Sequence, residues 1–148
     1  MSGDDEYEDD YATCSRTQAS LRIIHDDLDP EEITRQLGTQ PSWSWRKGEP
    51  RGKGKRPSHI GIWGLSTEKY VESRDLRRHL DWLISQMSGK EETFAQLRAR
   101  GYRLDVFCLW QSRGQGGPTI SPKNMRGLGA LGLELGIDIY WDDNESDT

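Results

Sequence analysis

The run Pro41-Ser42-Trp43-Ser44-Trp45-Arg46-Lys47-Gly48-Glu49 holds the side chains best suited to recognition. In extended chain Trp43 and Trp45 project to the same side with Arg46 and Lys47 beside them. Aromatic faces next to cations suit a polyanion or a stacked base. Arg51, Lys53, Lys55 and Arg56 prolong the cluster, so residues 41–60 carry six basic residues against one acid, Glu49. A second arrangement is open to the same residues: one or both tryptophans tuck beneath the loop as a satellite core while the cations stay in water.

Other reactive side chains point to less. His25-Asp26-Asp27, followed by Asp29, Glu31 and Glu32, offers metal donors, but acids at a helix start complement the helix dipole, and that explains them better. His25, His59 and His79 lie far apart and lack paired zinc-ligand spacing. Cys14 follows an acidic stretch expected to raise its pKa, and Cys108 falls on a buried strand face, so neither reads as an activated nucleophile. Gly114-Gln115-Gly116-Gly117 lacks the Lys-Ser/Thr of a phosphate-binding loop and reads as a turn. No metal or cofactor is expected, and an enzyme using Glu49 or the Asp26-Asp27 pair is the third reading.

The elements that must position these residues follow from periodicity. Ala19–His25 alternates as a strand, with Leu21 and Ile23 on one face and Arg22 and Ile24 on the other. Asp29, Pro30 and Glu32 open a helix that Gly38 stops. Residues 41–58 are too rich in Pro, Gly, Ser and charge for a core element and read as a long loop. His59–Leu65 resumes as a strand. Leu76, Leu80, Leu83, Ile84 and Met87 mark one face of a helix over Arg74–Met87, and Glu91–Arg100 forms another. Tyr102–Gln111 is the strongest strand, its face of Tyr102, Leu104, Val106, Cys108 and Trp110 wholly apolar. Ser121-Pro122 opens a last helix expected to end at Gly136, and Ile137, Ile139 and Trp141 close the chain as a strand. This order predicts an α+β two-layer sandwich of ferredoxin-like arrangement, two β-α-β units with helices on one sheet face. Ile62, Phe107, Leu109 and Tyr140 fall on the opposite face, a possible second binding surface that a partner or a second copy would cover, unless loops or the Gly89 to Gly101 segment cover it.

Charge is strongly segregated in this 148-residue chain of net charge −5. Residues 1–10 carry six acids and residues 138–148 five, with no Lys or Arg in either; the body therefore sets 20 basic residues against the remaining 14 of 25 acids. Residues 1–16 and 142–148 are expected to be disordered acidic tails that keep the chain soluble or screen its basic surface, flanking one domain over residues 17–141. No stretch approaches the roughly 20 apolar residues of a membrane span. The acidic start lacks the pattern of a signal peptide, so a cytoplasmic location is expected.

Taken together, the Asp29-Pro30 helix closed by Leu37-Gly38, then Pro41, Trp43, Lys47-Gly48-Glu49, Gly61-Ile62-Trp63 and Leu80 to Leu83 resemble the bacterial and phage domain-of-unknown-function family numbered 4279. The resemblance covers about residues 17–141. It marks Trp43, Lys47, Gly48, Glu49 and Trp63 as signature positions and implies no reaction. Arg51 to Arg56 and the acidic ends look particular to this chain. The expected function is a non-catalytic binding module that occludes a protein partner, immunity-like or as a phage-related inhibitor, through Trp43, Trp45, Arg46, Lys47, Glu49, Arg51, Lys53, Lys55, Arg56 and Trp63. Nucleic acid or a nucleotide phosphate at the same cations is the alternative, and monomer and homodimer remain equally open.

Overall fold

A computed structural model describes residues 6–142. Strand β1 (Cys14–His25) is followed by helix α1 (Pro30–Leu37), strands β2 (Trp43–Trp45) and β3 (Gly61–Ser66), helices α2 (Leu76–Gln86) and α3 (Glu91–Ala99), strand β4 (Arg103–Ser112), helix α4 (Pro122–Leu131) and strand β5 (Glu134–Trp141). The protein is thus α+β, with one five-stranded mixed sheet in the order β2-β3-β1-β4-β5. Neighbours run antiparallel except β4 and β5.

Period-two alternation decides which side of the sheet is buried. Ala19, Leu21 and Ile23 of β1, Trp63 and Leu65 of β3, and Leu104, Val106, Cys108 and Trp110 of β4 join one cluster with Ile33 and Leu37 of α1, Leu80 and Leu83 of α2, Phe94 and Leu97 of α3, and Leu128 and Leu131 of α4. All four helices therefore contribute to the core on that face. Local signals fix where they start and stop. Asp29 caps α1 through the Glu31 amide, and Gly38 ends it at φ +69°. Ser121 and Asn124 form a reciprocal capping box on α4.

Boundaries differ from expectation at β1 and α4. β1 begins at Cys14, because Thr17, too polar to mark a strand by type, donates from its hydroxyl to the Leu109 carbonyl at 2.6 Å. α4 stops at Gly132 in the left-handed conformation, not at Gly136, which lies inside β5 opposite Phe107. α1 connects β1 to the short edge strand β2, which runs in the direction of β1, and β3 lies antiparallel between the two.

Residues 6–13, expected to be part of an acidic tail, lie against the start of α2; residues 1–5 and 143–148 lie outside the described residues. The Glu8 amide donates to the Asp75 carboxylate at 2.7 Å, and Asp9 accepts from the Ser73 hydroxyl at 2.6 Å and the Arg78 guanidinium at 2.9 Å. Ser73 and then Arg78 hold the Asp9 carboxyl below its ordinary range. Tyr11 packs edge-on against Trp110 at 5.4 Å. Deleting residues 1–13 is expected to cost about 1–3 kcal/mol, through the lost cap partner and the uncovered tryptophan. Thermal melting checks this, and an unchanged midpoint would show that the arm contributes nothing.

Beneath the arm, His79 is buried with its tautomer fixed. Its Nε2–H donates to the Ser73 carbonyl at 2.8 Å, so Nδ1 accepts from the Thr67 hydroxyl at 2.7 Å, and Thr67 accepts in turn from the Ala19 amide at 3.0 Å. Burial holds the His79 pKa below the ordinary histidine range, against the opposing pull of the Ser73 carbonyl, Asp75 and Asp9. As pH falls below about 6.5 the unfolded chain takes up this proton before the folded chain does. Stability should therefore decline from about pH 6.5 toward the lower folded value, by at most about 1.4 kcal/mol per pH unit. Denaturant midpoints at several pH values test this; a decline undiminished in His79→Gln would assign it to another group.

Candidate functional site

The open face of the sheet carries a groove of about 410 Å³. Its floor follows from the strand register. Trp43 lies opposite Gly64 and Trp45 opposite Ile62, so both indoles fall on the side away from the helices. Gly64 makes room for them, because a Cβ at that position would meet the Trp43 ring at 2.2 Å. The two rings stack with centroids 5.6 Å apart and planes 24° from parallel, each half-buried. Phe107 of β4 and Arg22 of β1 form the far wall. Two hydrogen bonds of 2.9 and 2.7 Å bind Arg22 to Asp105, and its guanidinium lies 4.6 Å from the Phe107 centroid. The Asp105 hydrogen bonds raise the Arg22 pKa, so this wall stays charged and locally neutralised.

Residues 46–60 form an ordered hairpin beside the groove. The Glu49 carboxylate accepts from the Arg46 amide at 2.8 Å, and Gly48 turns the chain at φ +86°. The Gly48 amide donates to the Ser58 carbonyl and the Ser58 amide to the Glu49 carbonyl, each at 2.8 Å, and Pro50 bridges Pro57. Folding back in this way brings the Arg51 guanidinium 5.4 Å from the Trp45 ring. Lys53, Lys55 and Arg56 are exposed at the tip, and with Arg51 they form no ion pair among the described residues.

Not every expected site residue belongs here. Trp43, Trp45, Arg51 and Phe107 line the groove. Arg46 is engaged by Asp29 at 2.9 Å and Glu31 at 2.8 Å, and Lys47 by Asp26 at 3.5 Å. Glu49 is a turn-forming group. Trp63 is fully buried and its Nε1–H donates to the Thr34 hydroxyl at 3.1 Å, so it is a core residue and not a contact surface. The second surface divides: Phe107 joins the groove, whereas Leu109 faces Asp138 of β5, and Tyr140 lies on the far edge with its hydroxyl donating to Asp138 at 3.2 Å. Arg22 and Gly64 were missed. The alternation of β1 already set Arg22 on the face of Ile24, and a glycine after Gly61-Ile62-Trp63 was the trace of a ring packed close above it.

The other reactive groups are absorbed structurally. His25 stacks on Tyr102 at 4.2 Å and accepts the Asp27 amide on Nδ1. No group of three or more His, Cys, Asp or Glu side chains is arranged for a metal among the described residues. Cys14 and Cys108 are free and buried. Burial raises both thiols, Cys108 to about 12, so for Cys14 burial and not the acidic stretch is the main cause. No described helix is long and apolar enough to cross a membrane.

Fold and groove together define a small α+β domain with an aromatic and cationic site on its open sheet face. The chain belongs to the family described as a domain of unknown function, DUF4279, whose model matches residues 14–142. No curated protein and no solved structure matches the chain. Of the signature positions, Gly48 and Glu49 build the hairpin turn, Trp63 fills the core and Trp43 forms the groove floor.

Proposed function

We propose that this protein is a non-catalytic binding module that holds a protein partner in the groove between Trp45 and Phe107, beside the basic hairpin. The observation that carries this reading is the pair of stacked, half-buried tryptophans beside four cations that no acid among the described residues engages. Such a surface suits an acidic partner segment bearing an apolar side chain: the side chain fills the groove, and Arg51, Lys53, Lys55 and Arg56 steer and orient the acids. Of the acids considered for catalysis, Glu49 holds its turn and Asp26 pairs with Lys47. Steric occlusion of the partner's own working surface is the mode of action, that of an immunity-like or phage-related inhibitor in the bacterial cytoplasm. The strand order supports a ferredoxin-like plan for β1 to β4, with α4 and β5 added at the edge.

Single-stranded nucleic acid is the second reading, favoured by the same aromatic pair as a stacking platform. Glu134 and Asp138 share the open face through their register with Asp105 and Leu109, and they would repel a phosphate chain running across the sheet. Calorimetric titration over a range of salt separates the two. Phosphate binding loses affinity steeply with salt, whereas the groove contacts of a protein partner persist. A steep slope with single-stranded RNA or DNA, and no protein captured, would overturn the protein reading.

A further inference from the structure

Among the described residues β5 is a free sheet edge, paired only with β4. Native edges are usually blunted by brevity, charge (lysine above all), proline or a bulge; β5 carries two charges, Glu134 and Asp138, and both are of one sign. β5 has eight residues, no lysine or proline, and a register with β4 that runs without a shift. Ile139, Tyr140 and Trp141 are 62%, 51% and 61% exposed, three of the five large apolar residues exposed on the described chain.

We propose that β5 pairs antiparallel with β5 of a second copy across a two-fold axis through Ile139, joining two five-stranded sheets into one. The side-chain period of two requires paired residues to share a face, so a two-fold perpendicular to the sheet must pass through a residue. Charge narrows the choice. An axis through Asp138 sets Asp138 against itself, and one through Tyr140 sets Asp138 against Asp142; both juxtapose like charges. An axis through Ile137 sets Trp141 against Leu133, beside the turn out of α4 where Arg98 already donates to the Leu131 and Gly132 carbonyls. The axis through Ile139 sets Trp141 against Ile137 on the helix side and Asp138 against Tyr140 on the open side. Tyr140 is already the donor to Asp138 within one chain, so the pairing offers each aspartate a phenol from the other copy. At the roughly 150–250 Å² of a large side chain, the exposed parts of these three residues supply at most roughly 700 Å² over two copies before any backbone is counted. That approaches the ~1,000 Å² of a specific interface. Three strands separate β5 from β2, so this contact stands independently of the groove.

Cysteine cross-linking of the full chain is the test. Cys14 and Cys108 are fully buried and stay silent. Under mild oxidation Ile139→Cys is expected to form a covalent dimer, since its mate lies directly opposite at a separation a disulfide spans, whereas Ile137→Cys faces Trp141 of the second copy and stays largely uncross-linked. Sedimentation equilibrium is expected to show a wild-type dimer over the micromolar range, with Ile139→Lys weakening self-association at least tenfold at an unchanged melting temperature. A monomeric wild type overturns the proposal, and so does equal cross-linking at both positions. Should the lysine variant fail to fold, the cysteine pair still decides.

Discussion

Replacing Trp63 by alanine is expected to cost about 3–5 kcal/mol and to unfold a large share of the protein at physiological temperature. The indole is fully buried within the cluster that β3 shares with α1, and its N–H is satisfied by Thr34. Alanine leaves a cavity and a hydroxyl without its donor, two independent losses. Trp63→Phe should recover much of the packing while forfeiting the hydrogen bond. Denaturant midpoints measure both. A near-neutral Trp63→Ala would place the tryptophan at a surface and reopen its part in binding.

Replacing Trp45 by alanine is expected to leave the fold intact and weaken partner binding about 30-fold or more, the loss of at least ~2 kcal/mol that a central aromatic contact carries. Trp45 is half-buried on an edge strand, so its removal takes little from the core. Changing Arg51, Lys53, Lys55 and Arg56 together to serine should also weaken binding, mostly by slowing association, and that deficit should shrink as salt rises. Gly64→Val gives a third route to the same loss: its side chain must displace the Trp43 ring, which a Cβ alone would meet at 2.2 Å. Calorimetry with thermal melting on each variant separates lost binding from lost fold. Full affinity in Trp45→Ala would remove the groove from consideration.

How much of this was legible in the sequence depended on how long each pattern ran. β4 and α2 were plain because ten and eleven residues repeat one period without interruption. β2 was not, since three residues framed by Pro, Ser and Lys give no period, and their strand character comes from pairing with β3. Trp63 and Ile62 illustrate a deeper limit. Both alternating faces of β3 are apolar, and only the placement of the helices decides which one is core. The contacts of the amino-terminal arm were not legible for a related reason. A run of acids has no means of burying itself, but the Glu8 backbone amide and the Asp9 carboxylate meet the start of α2, which lies more than sixty residues away in sequence. The tryptophan and cation cluster was visible as composition; that Arg46 and Lys47 are engaged while Arg51 meets Trp45 required the hairpin.

The most direct measurement is a two-dimensional ¹H–¹⁵N spectrum of the protein titrated with the partner that wild type captures and the four-serine variant does not. The indole N–H signals of Trp43 and Trp45 and the amides of Arg51 to Arg56, Ile62 and Phe107 are expected to shift together, while the Trp63 indole, deep in the core, stays in place. Shifts confined to β5, or to the arm over α2, with the two groove indoles unmoved, would contradict the account.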